Sequence, residues 1–170
     1  MKAMFLAAGY GERMLPITRV VPKPLIPVLG RPLAPQILSR LAAEGIDEAV
    51  VNLHHLAKPV RDAFGDGSAL GLRALHFSLE EERLLGTGGG LAHAAARFKG
   101  TGTILVRNSD FLADIALSKV IASHARSGCP ATVVLVPHRA GYTPVAIDDR
   151  RRVVVGEFVG GETHEHRHVR

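Results

Sequence analysis

The residues with the clearest chemical purpose stand close together near the N-terminus, in Leu6-Ala7-Ala8-Gly9-Tyr10-Gly11-Glu12-Arg13-Met14. Two glycines one residue apart, Gly9 and Gly11, let a backbone turn tightly and aim N–H groups at an anion. Arg13 adds a planar, permanently charged fork suited to phosphate oxygens. Ala7 and Ala8 leave the approach uncluttered, so that a flat base could lie against the main chain. Ten positions after Arg13, Pro22-Lys23-Pro24 sets a lysine between two prolines, whose locked φ stiffens the segment. A lysine held in that way suits a fixed phosphate. Plainer alternatives, a ligand-free turn and a solvated lysine, stay open at this level. Two better-known phosphate loops are excluded. Gly-Lys-Ser/Thr never occurs, and Met14 stands where a dinucleotide fingerprint needs its third glycine.

Further along, Gly86-Thr87-Gly88-Gly89-Gly90 offers close backbone approach to a ribose or sugar, with N–H groups free at a helix start, or is a flexible connector without a ligand. Asp110 follows an apolar run and could hold Mg²⁺ against nucleotide phosphates, or simply shape a turn. Nine histidines raise the question of a metal. His54 and His55 lie at the end of an apolar strand, where adjacent residues point to opposite faces. His164, His166 and His168 would share one face if extended, yet no carboxylate or cysteine at standard spacing joins them; a solvated tail is expected. Cys129, the single cysteine, excludes an internal disulfide and reads as buried filler.

These groups need a scaffold, and the chain supplies an alternating one. Lys2–Ala7, Glu48–Leu53, Arg73–Leu79, Thr103–Val106 and Ala131–Val136 read as strands. Pro35–Glu44, Leu56–Phe64, Leu91–Phe98 and Leu117–Arg126 read as helices between them, the first stopping at Gly45. The alternation predicts an α/β fold, a Rossmann-like three-layer sandwich with a mainly parallel central sheet. Pro144–Ile147 and Arg152–Phe158 around the turn Asp148–Arg151 read as a C-terminal β-hairpin, and the stretch from Gly160 as an interrupted element or a frayed end. At 170 residues, 46% hydrophobic and 22% charged, the chain suits a globular domain with a core of its own. No apolar run approaches the roughly 20 residues of a membrane helix, and Gly9, Gly11, Glu12 and Arg13 interrupt any secretory leader. A cytoplasmic protein that uses no membrane is expected. The net charge of +5 fits a basic, solvated surface or an anionic substrate, and with 5% aromatic residues stacking on nucleic acid is not expected.

The glycine-rich first loop with Arg13, followed by Pro22-Lys23-Pro24-Leu25, resembles the signature of the sugar-phosphate nucleotidyltransferases, which make nucleoside-diphosphate sugars. Gly86–Gly90 is similar to that family's glycine-rich segment, and Val106-Arg107-Asn108-Ser109-Asp110 to its metal-binding motif. Within the family the chain resembles short bacterial enzymes of the N-acetylmuramate-1-phosphate uridylyltransferase and mannose-1-phosphate guanylyltransferase kind. The resemblance implies one domain, 1–170, with a nucleotide-binding part (1–137) and the start of a sugar-acceptor part (138–170). It implies in-line displacement at the α-phosphorus of a nucleoside triphosphate, UTP or GTP, by a sugar-1-phosphate, with Mg²⁺ as cofactor. Arg13 and Lys23 would be catalytic, the first on the β and γ phosphates, the second on the α-phosphate and incoming sugar phosphate. Ala7, Ala8, Gly9, Gly11, Glu12, Thr87 and Gly88 would complete the nucleotide site. Asn108, Gly141 and Glu157 would serve the sugar phosphate, and Asp110 the metal.

Two departures qualify these implications. Ser109 replaces a usual glycine, and a positive φ there would strain the turn and displace Asp110. The family's second metal carboxylate comes late, yet no aspartate follows Asp149. The expected behaviour is therefore binding of Mg–nucleotide with poor transfer. Alternatives are an inactive nucleotide-binding homologue with a regulatory role and an interaction module without ligand. Neither base nor sugar is read by a motif, and a homo-oligomer is left open.

Overall fold

A computed structural model describes residues 1–137, 144–150, 152–159 and 162–168. They form two compact units, Met1–Ile115 and Ala116–Arg170. The first contains β1 (Lys2–Leu6), a two-residue ribbon of β2 (Pro27–Val28) and β3 (Arg31–Pro32), α1 (Leu33–Ala43), β4 (Glu48–Leu53), α2 (Ala57–Phe64), β5 (Ala74–Leu79), α3 (Gly86–Ala94) and β6 (Ile104–Asn108). Its four long strands form one sheet in the order β5-β4-β1-β6, every pair parallel. Strands covered on both faces read as continuous apolar runs. Ala3, Met4, Phe5, Ala49, Val50 and Val51 are accordingly all buried.

The connections decide which helix covers which face. From β1 the chain moves sideways to β4 and β5, then returns past β1 to β6. Right-handed crossovers put α1 and α2 on one face and α3 on the other. Packing agrees with that rule. Met4 and Val50 cluster with Ala94 and Phe98 below α3. Arg61 of α2 lies over Phe77 at 5.6 Å, and Phe77 is in register with Val51 and Phe5, which point the other way. The three-layer, mainly parallel α/β architecture expected from the sequence is present. In α1, Leu33, Ile37, Leu38 and Leu41 are buried on one stripe. The helix ends where Gly45 takes φ +93, with Gly45 N–H donating to Ala42 (3.0 Å) and Ile46 N–H to Leu41 (3.0 Å), a glycine stop.

The second unit holds α4 (Leu117–Ser127), β7 (Val154–Val159) and β8 (Glu162–His168). Four expectations change here and at α3. Ala131–Val136 forms no strand among the described residues, and Val133–Val136 are exposed; β-branched composition alone does not make a strand without a hydrogen-bonded neighbour. The hairpin is shifted. Ile147 and Val153 share a single bridge, closed by Arg152 N–H donating to Asp148 Oδ1 at 2.8 Å. The long antiparallel pair is instead β7 with β8, so the stretch from Gly160 contributes a strand and is the element of the two alternatives, not the frayed end. Cys129 is exposed, not buried filler, because it follows the α4 stop at Gly128 (φ +64) and its N–H donates to Ser127 Oγ at 3.1 Å. Finally, α3 starts at Gly86 rather than Leu91, so the glycine run lies inside a helix.

Candidate functional site

The order of strands reverses between β1 and β6, and open parallel sheets bind ligands beyond the carboxyl ends of strands at such a reversal. A cleft of about 260 Å³ lies there, within the first unit. Ala7, Ala8, Gly9 and Gly11 form one wall from the loop after β1. Gly86 and Thr87 border it from the start of α3, and Asn108, Ser109 and Asp110 from the end of β6. Lys23 and Pro24 complete it.

Each contributor has a local cause. Gly11 holds φ +69, and a Cβ there would lie 2.8 Å from Thr18 Cγ2 and 3.3 Å from Lys23 Cβ. The buried Thr18 donates its hydroxyl proton to the Gly11 carbonyl at 3.0 Å, which fixes the turn. A Cβ on Gly9 would meet nothing within 4 Å, so that side of the loop is open. Pro22 and Pro24 are buried and anchor a single helical turn, Lys23–Leu25, with Lys23 only partly covered between them. Lys23 Nζ is ion-paired with Asp110 Oδ2, which brings the prolines' lysine and the carboxylate of β6 together.

Ser109 is buried and its N–H donates to the Leu6 carbonyl at 3.0 Å, continuing the β1–β6 ladder by one bond. Among the described residues other than glycine, Leu29 and Leu56 have positive φ and Ser109 does not. The strain expected at Ser109 is therefore absent, because the position extends a strand instead of turning left-handed. Asp110 keeps its place on the cleft. Arg107, one residue before Asn108, faces away from α3; its guanidinium lies 4.5 Å over the Phe111 ring, and burial lowers its pKa.

Other expected residues are placed differently. Glu12 and Arg13 sit on an exposed single turn, Glu12–Met14, outside the cleft lining. Gly88 is exposed, also outside the lining, with nothing within 4 Å of a Cβ built on it. Gly141 lies outside the described residues, and Glu157 lies in β7, in register with His164. His54 and His55 are held by protein groups: His54 bonds the Tyr10 hydroxyl (2.7 Å) and the Glu80 carbonyl (2.5 Å), and His55 the Thr18 carbonyl (3.0 Å).

A family model of nucleotidyl transferases matches residues 2–155. The chain belongs to the nucleotidyl transferase family. It is 36% identical over 152 residues to a mannose-1-phosphate guanylyltransferase of Mycobacterium tuberculosis, covering 87% of this chain and 42% of that protein. It is 47% identical over 115 residues to an N-acetylmuramate alpha-1-phosphate uridylyltransferase of Neisseria meningitidis serogroup B, covering 68% and 49%. The chain thus spans about half the length of the curated relatives it matches. Its fold is similar to that of HddC from Yersinia pseudotuberculosis (TM-score 0.62, 24% identity, 72% of this chain and 53% of that one). A UDP-glucose pyrophosphorylase complexed with UDP-glucose gives TM-score 0.59 at 21% identity, covering 75% and 54%.

In this nucleotidyl transferase, Asp110 is, among the described residues, the one carboxylate lining the cleft. A hard oxygen donor there suits Mg²⁺, which takes one or two carboxylates and otherwise keeps water and substrate phosphates. No group of three or more His, Cys, Asp or Glu among the described residues could hold an ion by itself. Nor does any helix among the described residues have the length and apolarity to cross a membrane. Sequence reasoning missed Thr18, Asn52 and Glu80. Asn52 lines the cleft, and its Oδ1 accepts the Ala7 N–H at 2.8 Å. The available signal was a lone amide closing the apolar strand Glu48–Leu53.

Proposed function

We propose that this nucleotidyl transferase chain carries the nucleotide site of an enzyme that joins a nucleoside triphosphate to a sugar-1-phosphate, yielding an NDP-sugar and pyrophosphate. The observation that carries the reading is the meeting of Lys23 and Asp110 in a cleft at the sheet's reversal point that the first loop, open at Gly9, also lines. The names of the relatives, a guanylyltransferase and a uridylyltransferase of sugar-1-phosphates, support GTP or UTP as donor.

In this reading the main chain at Ala7 and Ala8 carries the base, and Lys23 neutralises the α-phosphate as the sugar phosphate arrives. Arg13, exposed on its short turn, reaches the β and γ phosphates, with Glu12, Thr87 and Gly88 at the edge of the nucleotide site. Asn108 contacts the sugar phosphate, with Gly141 and Glu157 assigned to the acceptor. Asp110 would hold Mg²⁺, which when bound supplies neutralisation of phosphate charge. Catalysis is then positioning and charge stabilisation. No side chain needs to act as general base, because the attacking phosphate oxygen is already anionic. The cytoplasm is the proposed setting, where a free exposed thiol such as Cys129 persists reduced.

A second reading, nucleotide binding without turnover, is favoured by Asp110 being, among the described residues, the single carboxylate lining the cleft. Pyrophosphate release separates the two. With Mg²⁺ and UTP or GTP, the transfer reading expects pyrophosphate release, slow for this chain, when glucose-, mannose- or N-acetylmuramate-1-phosphate is added, and its loss in Lys23→Ala. Saturable nucleotide binding without pyrophosphate from any pair would overturn transfer and leave the second reading.

A further inference from the structure

From Asn52 in the lining of the cleft runs a buried polar chain that the proposed reaction does not use. Asn52 and Glu80 are both buried, with relative exposures of 4% and 2%, at the ends of neighbouring strands β4 and β5. Asn52 Oδ1 accepts the Ala7 N–H at 2.8 Å. Asn52 Nδ2 donates to Glu80 Oε1 at 2.8 Å. Glu80 Oε2 accepts the Leu85 N–H at 2.7 Å, one residue before α3 begins. The Glu80 main chain is tied at both ends, its N–H donating to Leu53 at 2.8 Å and its carbonyl accepting from His54 Nδ1 at 2.5 Å.

The order of donors and acceptors in this chain admits one arrangement. The Ala7 amide can only donate, so Asn52 must turn its oxygen toward it. Its NH₂ then needs an acceptor, and the Leu85 amide needs another. A carboxylate at position 80 offers both; an amide offers one. Room for the pair is kept by Gly90, where a Cβ would fall 2.7 Å from Glu80 Oε1 and 2.8 Å from Asn52 Nδ2.

We infer that Asn52 and Glu80 are positioning residues that lock the base-bearing loop after β1 to the start of α3, holding the two walls of the nucleotide cleft in register. The inference rests on the proposed nucleotide site and concerns how its walls are set. Without Glu80 the Asn52 amide is free to invert and present its NH₂ to the Ala7 N–H, donor against donor, which releases the loop.

A swap of polarity tests this directly. Glu80→Gln leaves either Asn52 or Leu85 without an acceptor, and Asn52→Asp sets two carboxylates against each other. Combined, the two substitutions restore all three hydrogen bonds, with the carboxylate now at position 52 accepting from the amide at position 80. Each single variant is expected to lose affinity for Mg–UTP or Mg–GTP by about tenfold or more, the scale of a buried group left unpaired. The double variant is expected to recover it to within about threefold. Amide hydrogen exchange at Ala7 and Leu85, measured without ligand, should quicken in the single variants and slow again in the double. If the wild type binds no nucleotide, the functional reading fails, and the exchange data still decide the lock. If a single variant does not fold, the double variant alone decides, by folding with wild-type exchange at Ala7 and Leu85. Single variants with unchanged affinity and exchange, or a double variant no better than the worse single one, would overturn the inference.

Discussion

Two glycine-rich segments border the same cleft and owe their glycines to different causes. In the loop after β1, Gly11 is dictated from inside by a left-handed φ of +69 and by Thr18 and Lys23, while Gly9 faces open space. In α3 the pattern repeats in the same order along the chain. Gly88 faces open space, whereas Gly90 is pressed against Asn52 and Glu80. Each segment thus holds a glycine that the fold itself needs, Gly11 or Gly90, and two residues earlier one with open space around it, Gly9 or Gly88. Composition alone makes the two kinds look alike; what a methyl group would touch tells them apart.

The strongest way to break this comparison is at the first loop. Gly11→Ala places a side chain in a left-handed backbone and against Thr18. It should cost about 2–4 kcal/mol of stability from the two effects together, read by thermal or urea unfolding. Gly9→Ala should leave stability within about 0.5 kcal/mol and yet weaken nucleotide binding by about tenfold, as a methyl group fills room kept for ligand. Equal unfolding midpoints for the two variants would erase the distinction.

The second segment gives a smaller contrast with opposite signs. Gly90→Ala should destabilise by about 1–3 kcal/mol, since neither buried polar partner can give way freely. Gly88→Ala should stabilise the free protein by about 0.5–1 kcal/mol, because alanine is the better residue inside a helix and nothing obstructs it. Chemical denaturation of both variants checks the pair.

Much of this was legible in the residues, and what was not has a physical reason. The alternation of apolar runs and glycine stops placed β1, β4, β5, α1 and the three-layer sheet, because burial on both faces leaves a plain mark. Lys23 was legible as a held lysine because its flanking prolines fix the backbone. Its partner was not, since Asp110 lies 87 positions away and pairs only once β6 is beside β1. The glycine run reads as a loop by propensity, but the tertiary surroundings at Asn52 and Glu80 favour a helix with a side-chain-free face. Ala131–Val136 failed for the opposite reason, since strand composition carries no information about a partner. Asn52 and Glu80 were missed because one polar residue at a strand end looks like any other until its hydrogen bonds are traced.

The opposite end of the sheet supplies the smallest effect and serves as a control. Glu48, near the amino ends of the strands, pairs with Lys2 at 3.1 Å and with Arg73. The hydrogen bond from Lys2, helped by the charge of Arg73, holds its carboxyl below the usual glutamate range. A depressed pKa in the folded state means the pair stabilises above the ordinary glutamate value and is lost as pH falls through the lower, folded value. Glu48→Gln should therefore flatten the acid side of the stability profile and leave nucleotide affinity unchanged. A loss of affinity would show that the two ends of the sheet are not independent.

The most direct measurement is a calorimetric titration of the chain with UTP, GTP, CTP, dTTP and ATP in Mg²⁺, repeated with Lys23→Ala. At least one nucleotide should bind saturably to the wild type. Lys23→Ala should weaken that binding by about ten- to a hundredfold, the scale of a charge-assisted contact of roughly 1.5–3 kcal/mol. Its unfolding midpoint should hardly move, since a partly exposed ion pair contributes about 1 kcal/mol or less. Silence across all five nucleotides from folded protein, or an unchanged affinity with a large loss of stability in Lys23→Ala, would contradict the assignment of this cleft to a nucleoside triphosphate.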